Sequence, residues 1–451
     1  MTMKRKIYDQ LVNWKREQQG KTALLIEGAR RIGKSYIVEA FGRNEYKSFV
    51  MVDFNDMDDE LRDIFDHYLS QRDEFFLRLS LYYGVKLYER QSLIVFDEVQ
   101  QYPRARAAIK YLVRDGRYDF IETGSLVSIK KNVTNIVIPS EERQIDMHPM
   151  DFEEFLWAMG EDMLMDFIRS QFATGEPMGQ LHRKALDYFR LYMIVGGMPQ
   201  AVLTYTETRD FEKTDLTKRD ILHLYRNDIQ KYATEAEARV TAIFDELPSQ
   251  LQRHEKKFRL AALRQGARMR DYEDAFFWLG DSRVANICYN TTEPSIGLRM
   301  NMERTTLKCY MGDTGLLISH AFDERAIADE QLYRKLMLGK LEVNKGMLVE
   351  NVVAQMLRAS GHKLYFYSCS DRDEAEQRME IDFLIAKPSI TNRHNICPIE
   401  VKSSARYTIT SLMKFCRKYA EQLCTPYVLH TSDQKTEGGI RYIPLYMAPL
   451  L

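Results

Sequence analysis

Thr22-Ala-Leu-Leu-Ile-Glu-Gly-Ala-Arg-Arg-Ile-Gly-Lys-Ser35 decides the reading of this 451-residue chain. Gly28 to Ser35 has the complete G-x-x-x-x-G-K-S spacing of a phosphate-binding loop. The run before it is apolar enough for a buried strand, and Tyr36 to Phe41 reads as a helix. Strand, glycine turn and helix start are the context the motif needs, because loop N–H groups and the helix dipole then face an anion. Gly28, Arg30, Arg31, Gly33, Lys34 and Ser35 are the candidate nucleotide-binding residues. Lys34 reaches the β- and γ-phosphates of ATP in this reading, and the Ser35 hydroxyl binds Mg²⁺.

Two later stretches complete the pattern. Ser92-Leu-Ile-Val-Phe-Asp-Glu98 runs four apolar residues into adjacent carboxylates, and its Asp97 lies 63 residues after Lys34. Asp97 is expected to help hold Mg²⁺ and Glu98 to orient or deprotonate the attacking water. Tyr118 to Thr123 reads as a further strand, whose polar end supplies Thr123 or Ser125 as a sensor of the γ-phosphate. A last strand is expected over Gln144–His148, stopped by Pro149. Arg143, just before it, and Arg30 and Arg31 in the loop are candidates to offset charge on the γ-phosphate. Strands alternating with helices predict an α/β fold with a parallel sheet over residues 1–150.

Composition narrows the class. Hydrophobic residues are 45% and charged residues 29%, ordinary for a globular chain. A formal net charge of −1 carries no global signature of nucleic-acid binding. The six cysteines form no C-x-x-C pair, which predicts reduced thiols, a cytoplasmic location and no zinc knuckle. The N-terminus lacks the apolar core of a signal peptide, and no apolar run is long enough for a bilayer, so no membrane partner is expected.

Residues 151–214 read as a helical lid, with amphipathic helices near Phe152–Trp157 and over Leu181–Val195. Leu251 to Arg270 carries seven Lys and Arg against one Glu. A helical stretch over Asp271–Leu279 follows, then β-like runs near Val284–Tyr289 and Thr305–Met311 around Arg299 and Arg304. Helices followed by two strands suggest a winged helix over 215–334, with Arg268 and Arg270 as candidate DNA contacts near the start of a recognition helix.

A second chemical pattern lies in 335–451. Glu350 falls on a predicted helix, Asp382 on a strand, and Glu400-Val-Lys402 on the next strand. Residues 400 and 402 share one face of a strand. Two carboxylates at adjacent strand ends make a hard oxygen site for Mg²⁺, and Lys402 can polarise a metal-bound water. The order matches restriction-endonuclease-like nucleases. The bland reading is a structural ion-pair network.

The chain resembles a prokaryotic family of AAA-type ATPases (AAA-14-like) fused to the domain of unknown function 4143. The resemblance rests on Gly28–Ser35, Phe96-Asp-Glu-Val-Gln100, Thr123-Gly-Ser-Leu126, Pro149-Met-Asp-Phe-Glu-Glu-Phe155, Gly196-Gly-Met-Pro199, Gly312-Asp-Thr-Gly-Leu316 and Ile399-Glu-Val-Lys402. It implies an AAA-type ATPase core, a winged-helix segment and a nuclease-like C-terminal domain. The chain departs from the family where Glu142 precedes Arg143, since members often carry Gly-Arg there. The expected function is an ATP-hydrolysing switch with a nuclease-like domain, acting on or near DNA or a partner protein. The alternative is a nucleotide-binding DNA- or protein-binding regulator whose nuclease-like domain is silent. Oligomeric state is left open.

Overall fold

The computed structural model describes residues 3–124, 141–253, 256–295, 297–323, 330–337, 345–369, 378–387 and 395–451. The chain divides into two compact units, Met1–His148 with Asp281–Arg283, and Pro149–Gly280 with Val284–Leu451. Ser125 lies outside the described residues.

The first unit is built on five parallel strands: β1 (Ala23–Glu27), β2 (Ser48–Asp53), β3 (Ser92–Asp97), β4 (Asp119–Gly124) and β5 (Glu142–Asp146). Their order across the sheet is β2-β3-β4-β1-β5, and every pairing is parallel. Strands β1, β3 and β4 are buried along their full length, which explains the nearly unbroken apolar runs of β1 and β3. One face carries a core rich in aromatic rings, with Phe65 edge-on to Phe75 and Phe96. Edge strand β5 begins two residues earlier than its sequence suggests. It pairs with β1 from Ala23↔Glu142 to Glu27↔Asp146, so Arg143 is inside the strand and not before it. Its polar residues, exposed on the open edge, left no apolar signal to mark the start.

The second unit is helical from Phe152 to Gln252, with helices at Phe152–Ala158, Asp162–Thr174, Leu181–Val195, Pro199–Thr208, Phe211–Tyr232 and Glu237–Gln252. Caps explain three of the shared motifs. Asp151 and Glu154 form a capping box at the start of Phe152–Ala158. Pro199 opens its helix at a position where the missing N–H costs nothing. Asp313 accepts from the Leu316 amide at the start of Thr314–Ala321.

An eight-stranded sheet completes this unit. Its strands are β6 (Ala285–Thr291), β7 (Met302–Met311), β8 (Tyr365–Cys369), β9 (Met379–Ala386), β10 (Ile396–Val401), β11 (Tyr427–His430), β12 (Lys435–Glu437) and β13 (Ile440–Pro444). The order is β12-β13-β11-β10-β9-β8-β6-β7. The sequence makes β6 and β7 the wing of a separate winged helix. They are an antiparallel pair, but β6 also pairs with β8 in parallel, so the pair belongs to the C-terminal sheet. The reason lies in β7, where Leu307 to Met311 are all buried and demand cover. Arg268 and Arg270 are exposed; Arg268 caps the 3₁₀ turn Met269–Asp271 and Arg270 lies within it, ahead of the short helix Glu273–Asp281.

The thiols differ from expectation. Cys397 and Cys424 form a disulfide, while Cys288, Cys309, Cys369 and Cys416 are free. The Cys424 amide donates to the Ile396 carbonyl, which places the two cysteines side by side although 27 residues separate them. Among the described residues no helix is long and apolar enough to cross a membrane.

Candidate nucleotide site

The loop between β1 and the helix Lys34–Glu45 has little steric freedom. A Cβ on Gly28 would lie 2.3 Å from the Met147 carbonyl oxygen and 2.4 Å from Ile32 Cδ1. Gly33 has φ +89°, a region that favours glycine. Arg31, exposed like Arg30, is left-handed at φ +68°. Strained residues of this kind gather at ligand clamps. Lys34 is buried, and its Nζ donates to the carbonyl oxygens of Gly28 and Ala29, both at 3.0 Å. The ammonium is therefore folded against the loop that the motif assigns to phosphates.

Sheet order brings the other residues together. β4 separates β1 from β3, so Thr123 stands between the loop and Asp97. The Ser35 hydroxyl reaches Asp97 Oδ1 at 2.9 Å and Oδ2 at 2.8 Å. Thr123 Oγ1 donates to Asp97 and accepts from the Glu98 amide at 3.2 Å. Burial pushes the Asp97 pKa up, and the hydrogen bonds from Thr123 and Ser35 pull it back. Glu98 is left-handed at φ +54°, and the Gln100 amide donates to its carboxylate. Gln100 has no role in the sequence reading, although it sits in the same shared motif.

Arg143 is not brought to this group. It pairs opposite Leu24, three residues before the end of β1, about 10 Å along the strand from the loop. Its guanidinium donates to the Gln18 side-chain oxygen at 3.0 and 3.2 Å when that amide turns its oxygen inward. Neighbouring Glu142 explains the departure from glycine. Its carboxylate pairs with Arg106 at 3.0 Å, both side chains being buried. Burial and the Glu142 carboxylate hold the Glu122 pKa well above the ordinary range.

The C-terminal sheet assembles the second predicted cluster. Asp382 Oδ2 accepts from the Val401 amide at 2.8 Å, and Lys402 Nζ donates to Glu400 Oε1 at 2.6 Å. Glu350 Oε2 accepts from the Tyr310 hydroxyl at 3.1 Å. Burial raises the pKa of Glu350 to about 7 and of Glu400 to about 8. Sequence reasoning missed the centre of this group. Lys308 of β7, with a fully buried side chain, puts its Nζ 2.9 Å from Glu380, 3.6 Å from Asp382 and 3.9 Å from Glu350. The available signal was a lone cation inside an apolar run of β-like residues. Among the described residues no three His, Cys, Asp or Glu side chains are arranged to hold a metal ion.

The first unit is thus a phosphate-loop domain whose loop, acid pair and polar strand end meet at the carboxyl ends of parallel strands. Residues 20–156 match the model of an AAA domain. Residues 186–325 match a domain of unknown function (DUF8612), and residues 345–448 another (DUF4143). The chain carries an AAA domain at its N-terminus and DUF4143 at its C-terminus, the fusion its motifs resemble. No curated protein matches it. Among solved structures it is similar to the Walker-type ATPase PABY2304 of Pyrococcus abyssi, with 14% identity over 70% of this chain and 95% of that one, and a TM-score of 0.41. It is also similar to the ORC1 protein of Aeropyrum pernix in complex with DNA, with 11% identity over 74% and 95% and a TM-score of 0.27. Cdc6p of Pyrobaculum aerophilum gives 12% identity over 76% and 97%, with a TM-score of 0.27.

Proposed function

We propose that this chain is a Mg²⁺-dependent, ATP-hydrolysing switch. The observation that carries the reading is the connected group Ser35, Asp97, Thr123 and Glu98 beside the phosphate loop. When bound, ATP supplies the phosphoanhydride to be cleaved, and Mg²⁺ offsets charge on its phosphate oxygens. Lys34 exchanges the Gly28 and Ala29 carbonyls for phosphate oxygens. Ser35 and Asp97 are the residues that would hold Mg²⁺. Glu98 takes a proton from the attacking water, and Thr123 fixes the Glu98 backbone through its amide. Arg30 and Arg31, both exposed in the loop, are the candidates to offset charge on the γ-phosphate. Arg143, opposite Leu24 on β5 and turned to Gln18, is not placed for that role.

Phosphate release from the full-length protein tests this. Wild type is expected to hydrolyse ATP with Mg²⁺ and to stop when EDTA is added, and Lys34→Ala to show background only. Equal rates in both, with no nucleotide bound by either, overturn the reading.

The C-terminal domain reads as restriction-endonuclease-like, with Glu350, Asp382, Glu400 and Lys402 as its polar group. A DNA contact at Arg268 and Arg270 rests on their exposure. Acid neighbours oppose it: Asp271 lies 3.6 Å from Arg270, and Glu273 and Asp274 open the following helix. Anisotropy with a labelled duplex at low and high salt decides the point, because phosphate contacts weaken steeply as salt rises.

A further inference from the structure

The geometry points to Lys308 as the resident cation of the nuclease-like cluster: its ammonium stands among Glu350, Glu380 and Asp382 where a divalent metal would be held, and the wild-type site binds neither Mg²⁺ nor Mn²⁺. The inference rests on the restriction-endonuclease-like reading of this domain.

Three observations carry it. First, Lys308 Nζ lies within 4 Å of Glu350, Glu380 and Asp382, and Asp382 is one of the two strand-end acids that the nuclease reading assigns to the metal. Mg²⁺ demands oxygens at about 2.0–2.1 Å in near-octahedral array, so an ion ligating Asp382 and Glu350 would crowd a fixed positive charge. Second, a protein donor already occupies one oxygen of each acid in the nuclease pattern. Val401 N uses Asp382 Oδ2, Tyr310 uses Glu350 Oε2, and Lys402 uses Glu400 Oε1. Glu400 Oε2 is buried without a hydrogen-bond partner, and Asp382 Oδ1 faces the Lys308 ammonium at 3.6 Å. Third, Lys308 cannot swing away. Its side chain is fully buried, its ammonium lies 5.0 Å from the centre of the Phe366 ring, and β7 is tied to β6 at Cys288↔Lys308. It comes from outside the strands that bear the nuclease pattern, because β8 and β6 stand between β9 and β7.

Calorimetric titration of nucleotide-free, full-length protein with MnCl₂ tests the inference. Wild type is compared with Asp382→Asn, Lys308→Met and the double variant Lys308→Met/Asp382→Asn. Wild type is expected to show no site tighter than about 1 mM that Asp382→Asn removes. Lys308→Met is expected to gain one site at least about tenfold tighter, lost again in the double variant. A wild-type Mn²⁺ site abolished by Asp382→Asn overturns the inference and leaves the nuclease reading standing. A folded Lys308→Met protein that gains no site overturns both, with circular dichroism checking the fold. If Lys308→Met does not fold, the comparison of wild type with Asp382→Asn still decides. Plasmid cleavage with Mn²⁺ by wild type, absent in Asp382→Asn, also overturns it. Phosphate release from ATP, measured in parallel, is expected to be the same in wild type and Lys308→Met.

Discussion

The Ser35 hydroxyl reaches both carboxylate oxygens of Asp97, at 2.9 and 2.8 Å. These residues come from the first turn of the helix Lys34–Glu45 that follows β1 and from the end of β3, two strands away in the sheet. One cation can therefore be shared by both. Asp97→Asn keeps an acceptor for Ser35 and Thr123 but removes the charge. ATP hydrolysis should fall by about 10²-fold or more, in the range seen when one group stabilising a transition state is lost. Mg²⁺ should tighten binding of a fluorescent ATP analogue in wild type and not in the variant. Titrations with and without EDTA read this directly, and an unchanged Mg²⁺ dependence in Asp97→Asn counts against the assignment.

The backbone of Glu98, the proposed base, is held in place. Its left-handed backbone is unusual for a side chain of this size, and its amide is fixed by Thr123 Oγ1 at 3.2 Å. Glu98→Gln should retain nucleotide affinity and lose about 10²–10⁴-fold in hydrolysis. Thr123→Val removes both the donor to Asp97 and the acceptor for the Glu98 amide. It should lower kcat with KM nearly unchanged, and Thr123→Ser should restore most of the rate. Single-turnover kinetics separate these effects from product release.

Glu27, immediately before the loop, gives a pH signature. Burial, and then the Asp146 carboxylate, push its pKa up to about 7, with Asp281 acting in the same direction and Arg106 and Arg283 against it. The Gln144 amide also donates to it. A folded-state pKa above the unfolded one means that the folded protein binds this proton more tightly. The stabilisation is complete below the unfolded value, near 4.3, and is lost as pH rises through about 7. Glu27→Gln should therefore be more stable than wild type at pH 8, by roughly 3 kcal/mol at most, with the gap closing toward pH 5. Urea unfolding at the two pH values measures it. A gap that does not depend on pH removes Glu27 as the source.

Legibility in the sequence tracks how local each relationship is. The loop and the Asp97-Glu98 pair were readable because each sits at the end of an apolar strand, where spacing along the chain sets the chemistry. Thr123 was readable for the same reason, as the polar end of β4. Arg143 was misplaced because edge strand β5 has polar residues on its open side and no apolar pattern to locate its start. The Cys397–Cys424 pair depends on β10 meeting a segment 27 residues on, which no motif announces. Lys308 depends on the order β9-β8-β6-β7, in which a hairpin read as a separate wing joins the C-terminal sheet. Glu350, Asp382, Glu400 and Lys402 were legible as a set of types in order, but the cation at their centre was not.

Gly196 and Gly315 give the last prediction, and explain two glycine motifs far apart in the chain. A Cβ on Gly315 would lie 2.5 Å from the Val195 carbonyl oxygen and 2.6 Å from Gly196 Cα. Both sites surround Asp313, whose buried carboxylate accepts from Gly197 N at 2.5 Å, Leu316 N at 3.0 Å and Gln355 Nε2 at 2.9 Å. Backbone atoms cannot step aside as a flexible side chain can, so Gly315→Ala must open this contact and loosen the Asp313 hydrogen bonds with it. The cost should reach or exceed the roughly 1–3 kcal/mol typical of overpacking, lowering the midpoint of thermal unfolding by several degrees. Gly361→Ala is the control, since φ there is +90° but no atom lies within 4 Å of the added methyl. It should cost only the backbone strain, about 1–2 kcal/mol. Calorimetry of both variants ranks them, and Gly315→Ala unfolding no earlier than Gly361→Ala would show that the glycine contact is not tight.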